Sequence, residues 1–86
     1  MLKRSVINPH SNRIILDAIV ELASTVIREL FGVLGSQEFV INDIKFKSNR
    51  WIIVLTRKID DLIINYEMVI DNDTGRVIRF RRRKER

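Results

Sequence analysis

Eighty-six residues make one domain, and a chain this short buries only about 60–65% of its unfolded surface, so its stability margin is thin. The absence of cysteine excludes disulfides and thiolate metal sites, while 45% hydrophobic and 31% charged residues exclude a disordered chain. The net charge of +5 sits entirely in the last eight residues: six of the sixteen Lys/Arg and one of the eleven Asp/Glu fall there, leaving ten of each sign elsewhere.

Residues 1–8 read as a short extended arm. Met1-Leu2-Lys3-Arg4 is basic, but only Ser5-Val6-Ile7 follows before Asn8-Pro9, too short for the apolar region of a signal peptide. No stretch is long and apolar enough to suggest a membrane span, and a cytoplasmic location is expected. Abundant Ile, Arg and Lys with few Gln suit a thermophile.

Asn8-Pro9 predicts a helix start: Asn caps, and Pro fills the first helical position, where its missing N–H is harmless. From residue 9 to residue 34 the pattern is helical. Arg13, Asp17, Glu21, Ser24, Thr25, Arg28 and Glu29 recur every three or four residues as a polar stripe, and Gly35 is expected to end the helix as a left-handed cap. The remaining arc is apolar over more than half the circumference, wider than packing on one sheet requires. The surplus predicts either a sheet that curls around the helix or a second copy that covers it. Leu16, Val20, Ala23, Ile27 and Phe31 are the candidate homodimer interface.

Beyond Gly35 the period changes to two. Residues 39–47 read as a strand whose alternation slips near Asn42-Asp43, a signature of a β-bulge. Residues 51–57 are apolar on both faces, with Trp51, Ile53 and Leu55 on one and Ile52 and Val54 on the other, which predicts a central strand covered twice. Residues 62–70 alternate, with Leu62, Ile64, Tyr66, Met68 and Ile70 on one face. Asp71-Asn72-Asp73-Thr74-Gly75 is a hairpin loop, and residues 76–82 form a last strand with Ile78 and Phe80 inward. The predicted fold is α+β: one long N-terminal α-helix packed on a four-stranded antiparallel β-meander, residues 38–82, with a basic tail at 81–86. Its expected core is Ile15, Ile19, Leu22, Val26, Leu30, Trp51, Ile53, Leu55, Ile64, Tyr66, Met68, Ile78 and Phe80.

No catalytic constellation is visible. His10 is the sole histidine and lacks a partner for a nucleophile dyad or a metal cluster. Asp60-Asp61 are adjacent, so their carboxylates point apart. The Asp71 loop departs from a calcium loop, with Gly75 at the fifth position and Arg82 at the twelfth. Gly32 and Gly35 follow a helix where phosphate loops precede one. The chain therefore reads as no enzyme, with no metal, cofactor, small-molecule substrate or membrane partner.

The candidate functional feature is the basic end. Arg76, Arg79, Arg81 and Arg83 would project from one strand face in a row, joined by Arg82, Lys84 and Arg86. Guanidinium groups suit bidentate phosphate contact, so nucleic acid is one expected partner and an acidic protein or lipid surface another. The alternative reading is a charged edge that blocks sheet-to-sheet aggregation, or a solubilising terminus.

Trp51-Ile52-Ile53-Val54, then Tyr66-Glu67-Met68-Val69-Ile70-Asp71, then Asp73-Thr74-Gly75-Arg76-Val77-Ile78 resembles the pattern of PepSY-like domains over residues 38–83. It is also similar to the gas-vesicle accessory protein O family, where a helix precedes a Trp-bearing strand and a related hairpin leads to an arginine-rich end. Both resemblances imply a non-catalytic interaction domain with a helix against an antiparallel sheet. The leading expectation is a small protein-interaction or assembly module, homodimeric through its helix. The alternative is a nucleic-acid binder.

Overall fold

The chain folds as a 25-residue helix, α1 (Asn12–Ser36), followed by four strands: β1 (Phe39–Lys47), β2 (Arg50–Ile59), β3 (Leu62–Asp71) and β4 (Val77–Arg82). This computed structural model describes residues 12–83, with side chains from 16 to 83. The predicted arm, the Asn8-Pro9 helix start, His10, Ile15 as a core residue, and Lys84 and Arg86 of the tail lie outside the described side chains. The strands pair in sequence order, each antiparallel to the next, so the architecture is a helix on one face of an up-and-down meander.

Tight turns follow from local chemistry. Ser48 and Asn49 take positive φ (53° and 61°), the conformation that a two-residue hairpin matched to strand twist requires. Asp60 opens the β2–β3 turn at φ 55°. Asn42 is the extra residue of the β1 bulge, between the Ile41–Leu55 and Asp43–Val54 pairs.

Register divides the sheet into two faces. Trp51, Ile53 and Leu55 of β2 stand beside Ile70, Met68 and Tyr66 of β3 and meet the helix. Ile19, Ala23 and Ile27 fill the other side of this core. The buried helical residues step by four, along the inclined row of side chains that packs into grooves. Phe31 is the next member. The neighbouring row, Leu22 and Val26, is half-buried, and its next member, Leu30, leaves the interface altogether. Leu30, expected in the core, is 57% exposed because the contact follows an inclined row and does not run parallel to the helix axis.

Ile78 is likewise exposed and not a core residue. A register shift between Val69 and Ile70 pairs Val77 with Ile70 and Arg79 with Val69, which throws Ile78 out of the alternation. Glycine roles also differ from expectation. The left-handed glycine is Gly32 (φ 84°, ψ 170°), which interrupts α1 four residues before its end. Gly35 has no positive φ; a Cβ there would lie 3.0 Å from the Phe31 Cβ, so the position is limited by space.

Ring packing marks the ends of the core. Phe31 meets Phe39 at 4.9 Å and Phe80 at 6.1 Å between centroids, while Tyr66 stacks on Phe80 at 5.2 Å. The Arg57 guanidinium lies over the Phe31 and Phe39 rings, and its Nε donates to Glu38 Oε1 at 2.9 Å. That hydrogen bond raises the Arg57 pKa, against the opposing effect of desolvation. At the other end Trp51 packs on Phe46 and donates its indole N–H to Asn72 Oδ1 at 3.0 Å. Asn72 is a buried polar side chain, and its Nδ2 donates to Asn49 Oδ1, tying the β3–β4 loop to the β1–β2 turn.

The loop from Asp71 to Gly75 is held from within. Asp71 Oδ2 accepts from the Thr74 backbone N–H and hydroxyl, both at 2.9 Å, and these bonds lower the Asp71 pKa, the backbone one most. A carboxyl with a lowered folded pKa contributes stability that is present above its unfolded pKa, about 4, and lost as pH falls through the folded value. Asp71→Asn is therefore expected to lower stability at pH 7 and to flatten the acid limb. Urea midpoints of both proteins at pH 7 and at roughly pH 2–3 check this: the difference between them should shrink in acid.

Candidate functional site

Two surfaces stand out, one apolar and one basic, and both follow from where the sheet is covered. The apolar one lies at the end marked by Phe31. Since Phe31 packs on Phe39, Tyr66 and Phe80, the last turns of α1 sit over the end of the sheet where β2 runs into β3. There Leu30, Val33 and Leu34 are exposed on the helix, Leu34 to 79%. Leu30 precedes and Val33 and Leu34 follow the break in the helix at Gly32. At the same end the β2–β3 hairpin outruns its neighbours, because β1 begins opposite Arg57 and β4 ends opposite Tyr66. Its tip exposes Leu62 and Ile63.

The sequence-predicted interface on the helix splits. Leu16 and Val20 are exposed, as an interface requires. Ala23 and Ile27 are corrected: both are buried against the sheet of their own chain, Ile27 to 2% exposure, so neither is available to a second copy. Phe31 is half-buried in the ring cluster. Leu30, Val33, Leu34, Leu62 and Ile63 were missed. The signal for the first three was Gly32, a glycine inside the apolar arc where the regular helix can break and its last residues leave the core face, and for the hairpin tip it was two consecutive large apolar residues on a strand, one of which must face away from the core.

The second surface is the sheet face away from α1. Among the described residues no second layer covers it, so the prediction that β2 is covered twice is corrected. Ile52 and Val54 are half-buried and Val69 is buried beneath longer neighbours. A polar ladder crosses this face: Asn42 Nδ2 donates to Thr56 Oγ1, which donates to Asn65 Oδ1 at 2.8 Å. On β4 the register sets Arg79 opposite Val69 and Arg81 opposite Glu67, and the Arg83 N–H bonds Asn65 O at 2.8 Å, so the alternation continues one step past the strand. Arg79 Nη2 and Arg81 Nε both reach Glu67 Oε1, each at 3.5 Å.

The predicted row of arginines is therefore shorter than expected. Arg79, Arg81 and Arg83 share the open face. Arg82 pairs with Tyr66 and belongs to the other face, and Arg76 stands in the loop before β4, where its carbonyl accepts from the Asp71 N–H. A shallow cleft lined by Glu67, Arg81, Arg82 and Arg83 ends the row. A second cleft, about 240 Å³ between α1 and β1, is lined by Ile27, Phe39, Ile41 and Leu55, with Arg28 and Gln37 among its polar residues. Its size and its lining by core side chains suit imperfect helix–sheet closure.

No family model, no curated protein and no solved structure matches this chain. Among the described residues no helix is long and apolar enough to cross a membrane.

Proposed function

We propose that this domain is a small, non-enzymatic assembly module that associates with a second copy of itself through its apolar end. The observation that carries this reading is the balance of apolar side chains: among the described residues ten large ones are exposed, against nine apolar residues buried in the core. Five of the ten, Leu30, Val33 and Leu34 of α1 and Leu62 and Ile63 of the β2–β3 tip, lie toward one end of the molecule, Leu62 on the helix side of the sheet and Ile63 on the other. Exposed large apolar side chains gathered in this way are uncommon on a monomer and usual at an interface. A second copy is the occupant that suits it, because a short chain with a thin core gains the burial it lacks by pairing like surfaces about a two-fold axis. The resemblance to interaction domains agrees with this reading.

The test is Leu34→Glu. At 79% exposure this position tolerates a charge in the isolated chain, so the variant should fold with the same circular dichroism and run as a monomer where the parent runs as a dimer. An unchanged parent-like dimer in the variant would place the interface elsewhere.

A further inference from the structure

The geometry points to a separate binding surface: the open sheet face along β4, which takes the phosphate backbone of a nucleic-acid duplex through Arg79, Arg81 and Arg83. Alternate residues of a strand stand about 6.8 Å apart, and guanidinium groups on long, flexible stems at that spacing can each reach a phosphate of a duplex, whose charges follow one another about every 3.4 Å of axial rise per strand. Three such groups in a row can follow a phosphate backbone. One carboxylate serves the first two: Glu67 Oε1 forms ion pairs with both Arg79 and Arg81 at 3.5 Å, beyond ordinary hydrogen-bond distance. Each guanidinium has five N–H donors, so most of the capacity for bidentate anion contact stays open. Lys58 faces the same way by register and adds to the positive field, as does Lys45 less its partner Asp43, 3.9 Å away on the same face.

The same face says which polyanion fits. All six aromatic residues of the chain lie on the helix side: Phe31 on α1, and Phe39, Phe46, Trp51, Tyr66 and Phe80 on the sheet face beneath it. No ring is available on the open face for base stacking, which single-strand binders depend on. Beside the arginine row the apolar residues of this face are Val69, which is buried, and Ile52 and Val54, which are half-buried, while Val40 and Ile63 are exposed on it toward the β2–β3 turn. What remains is charge at strand spacing, which reads a duplex backbone without regard to sequence.

The experiment is fluorescence anisotropy of labelled short duplex DNA with the full chain across a salt series. Binding should weaken with a log–log slope near −3, about −0.9 for each phosphate neutralised, and single-stranded DNA of the same length should bind more weakly. The double variant Arg79→Ser/Arg81→Ser should lose at least tenfold in affinity and about two from the slope magnitude. Glu67→Gln removes the competing carboxylate and should bind several-fold tighter, an outcome that a merely structural ion pair does not give. Three results overturn the inference: the double variant, folded by circular dichroism, binding like the parent; Glu67→Gln binding no tighter; or polyglutamate or phosphatidylserine vesicles binding while the duplex does not.

Discussion

Ile27→Glu should leave the domain unfolded at neutral pH. Ile27 is 2% exposed and sits in the core with Ile19, Ala23, Ile53 and Leu55. The substitution removes a buried sec-butyl side chain and brings a carboxyl among apolar neighbours, with Arg28 and Gln37 of the adjoining cleft as polar groups on its solvent side. The apolar loss alone costs about 2–4 kcal/mol, and burying the charge adds several more unless the group stays protonated. A domain of this size has a total stability of roughly 4–13 kcal/mol. Protonation sets the sign of the pH dependence. Burial raises the folded-state pKa of the new carboxyl, so the penalty shrinks as pH falls below that value. Circular dichroism and urea titration at pH 7 and near pH 4 check it: the variant should be unfolded or nearly so at the higher pH and partly recover at the lower. A protein that is folded at pH 7 with parent-like stability would mean that α1 does not pack on the sheet along the Ile19–Ala23–Ile27 row.

Asn72→Leu should have the largest effect of any polar substitution. Asn72 is 4% exposed, accepts from the Trp51 indole, and donates to Asn49, whose own Nδ2 donates to Asp73 Oδ2 at 3.0 Å. The replacement is similar in volume but leaves the indole N–H without its acceptor in a buried site. Such an orphan donor costs about 1–3 kcal/mol, and loss of the turn-to-loop link adds about 1 kcal/mol. Asn72→Asp keeps an oxygen for Trp51 but turns the donor to Asn49 into a carboxyl in a buried site, so its deficit should shrink as pH falls and the carboxyl is protonated, whereas that of Asn72→Leu should not. Denaturant midpoints followed by Trp51 fluorescence at pH 7 and at roughly pH 4 give both numbers. Parent-like stability of Asn72→Leu would mean that the indole bond contributes nothing beyond packing.

The strands were legible because each carries its period in its own sequence. Alternation placed β1 and β3 closely, and the slip at Asn42-Asp43 placed the β1 bulge where the register shift falls. The second shift was not legible. Arg76-Val77-Ile78-Arg79-Phe80 alternates acceptably with or without a bulge, and only pairing with β3 decides that Val77 and Phe80, not Ile78, turn inward. The helix was legible as a helix and misread as a surface. An apolar arc says how much must be covered, but which row meets the sheet depends on the packing angle. For that reason Ala23 and Ile27, assigned to a partner, belong to the core, and Leu30, assigned to the core, belongs to the surface. The Trp51–Asn72–Asn49 link joins residues more than twenty positions apart and has no local signal at all. The arginine row was half legible: its members were named, but Arg76 and Arg82 fall out of it through the loop and the alternation of β4.

These corrections also select the probe for self-association. A charge at Ile27 tests the core, whereas a charge at Leu34 tests the surface, and the two should separate cleanly into an unfolded chain and a folded monomer. The most direct measurement is sedimentation equilibrium of the parent protein over a wide concentration range. The account predicts a species of twice the 10.2 kDa chain mass that dissociates on dilution. A single species of 10.2 kDa at every concentration would contradict it, leaving Leu30, Val33, Leu34, Leu62 and Ile63 without a second copy to cover them.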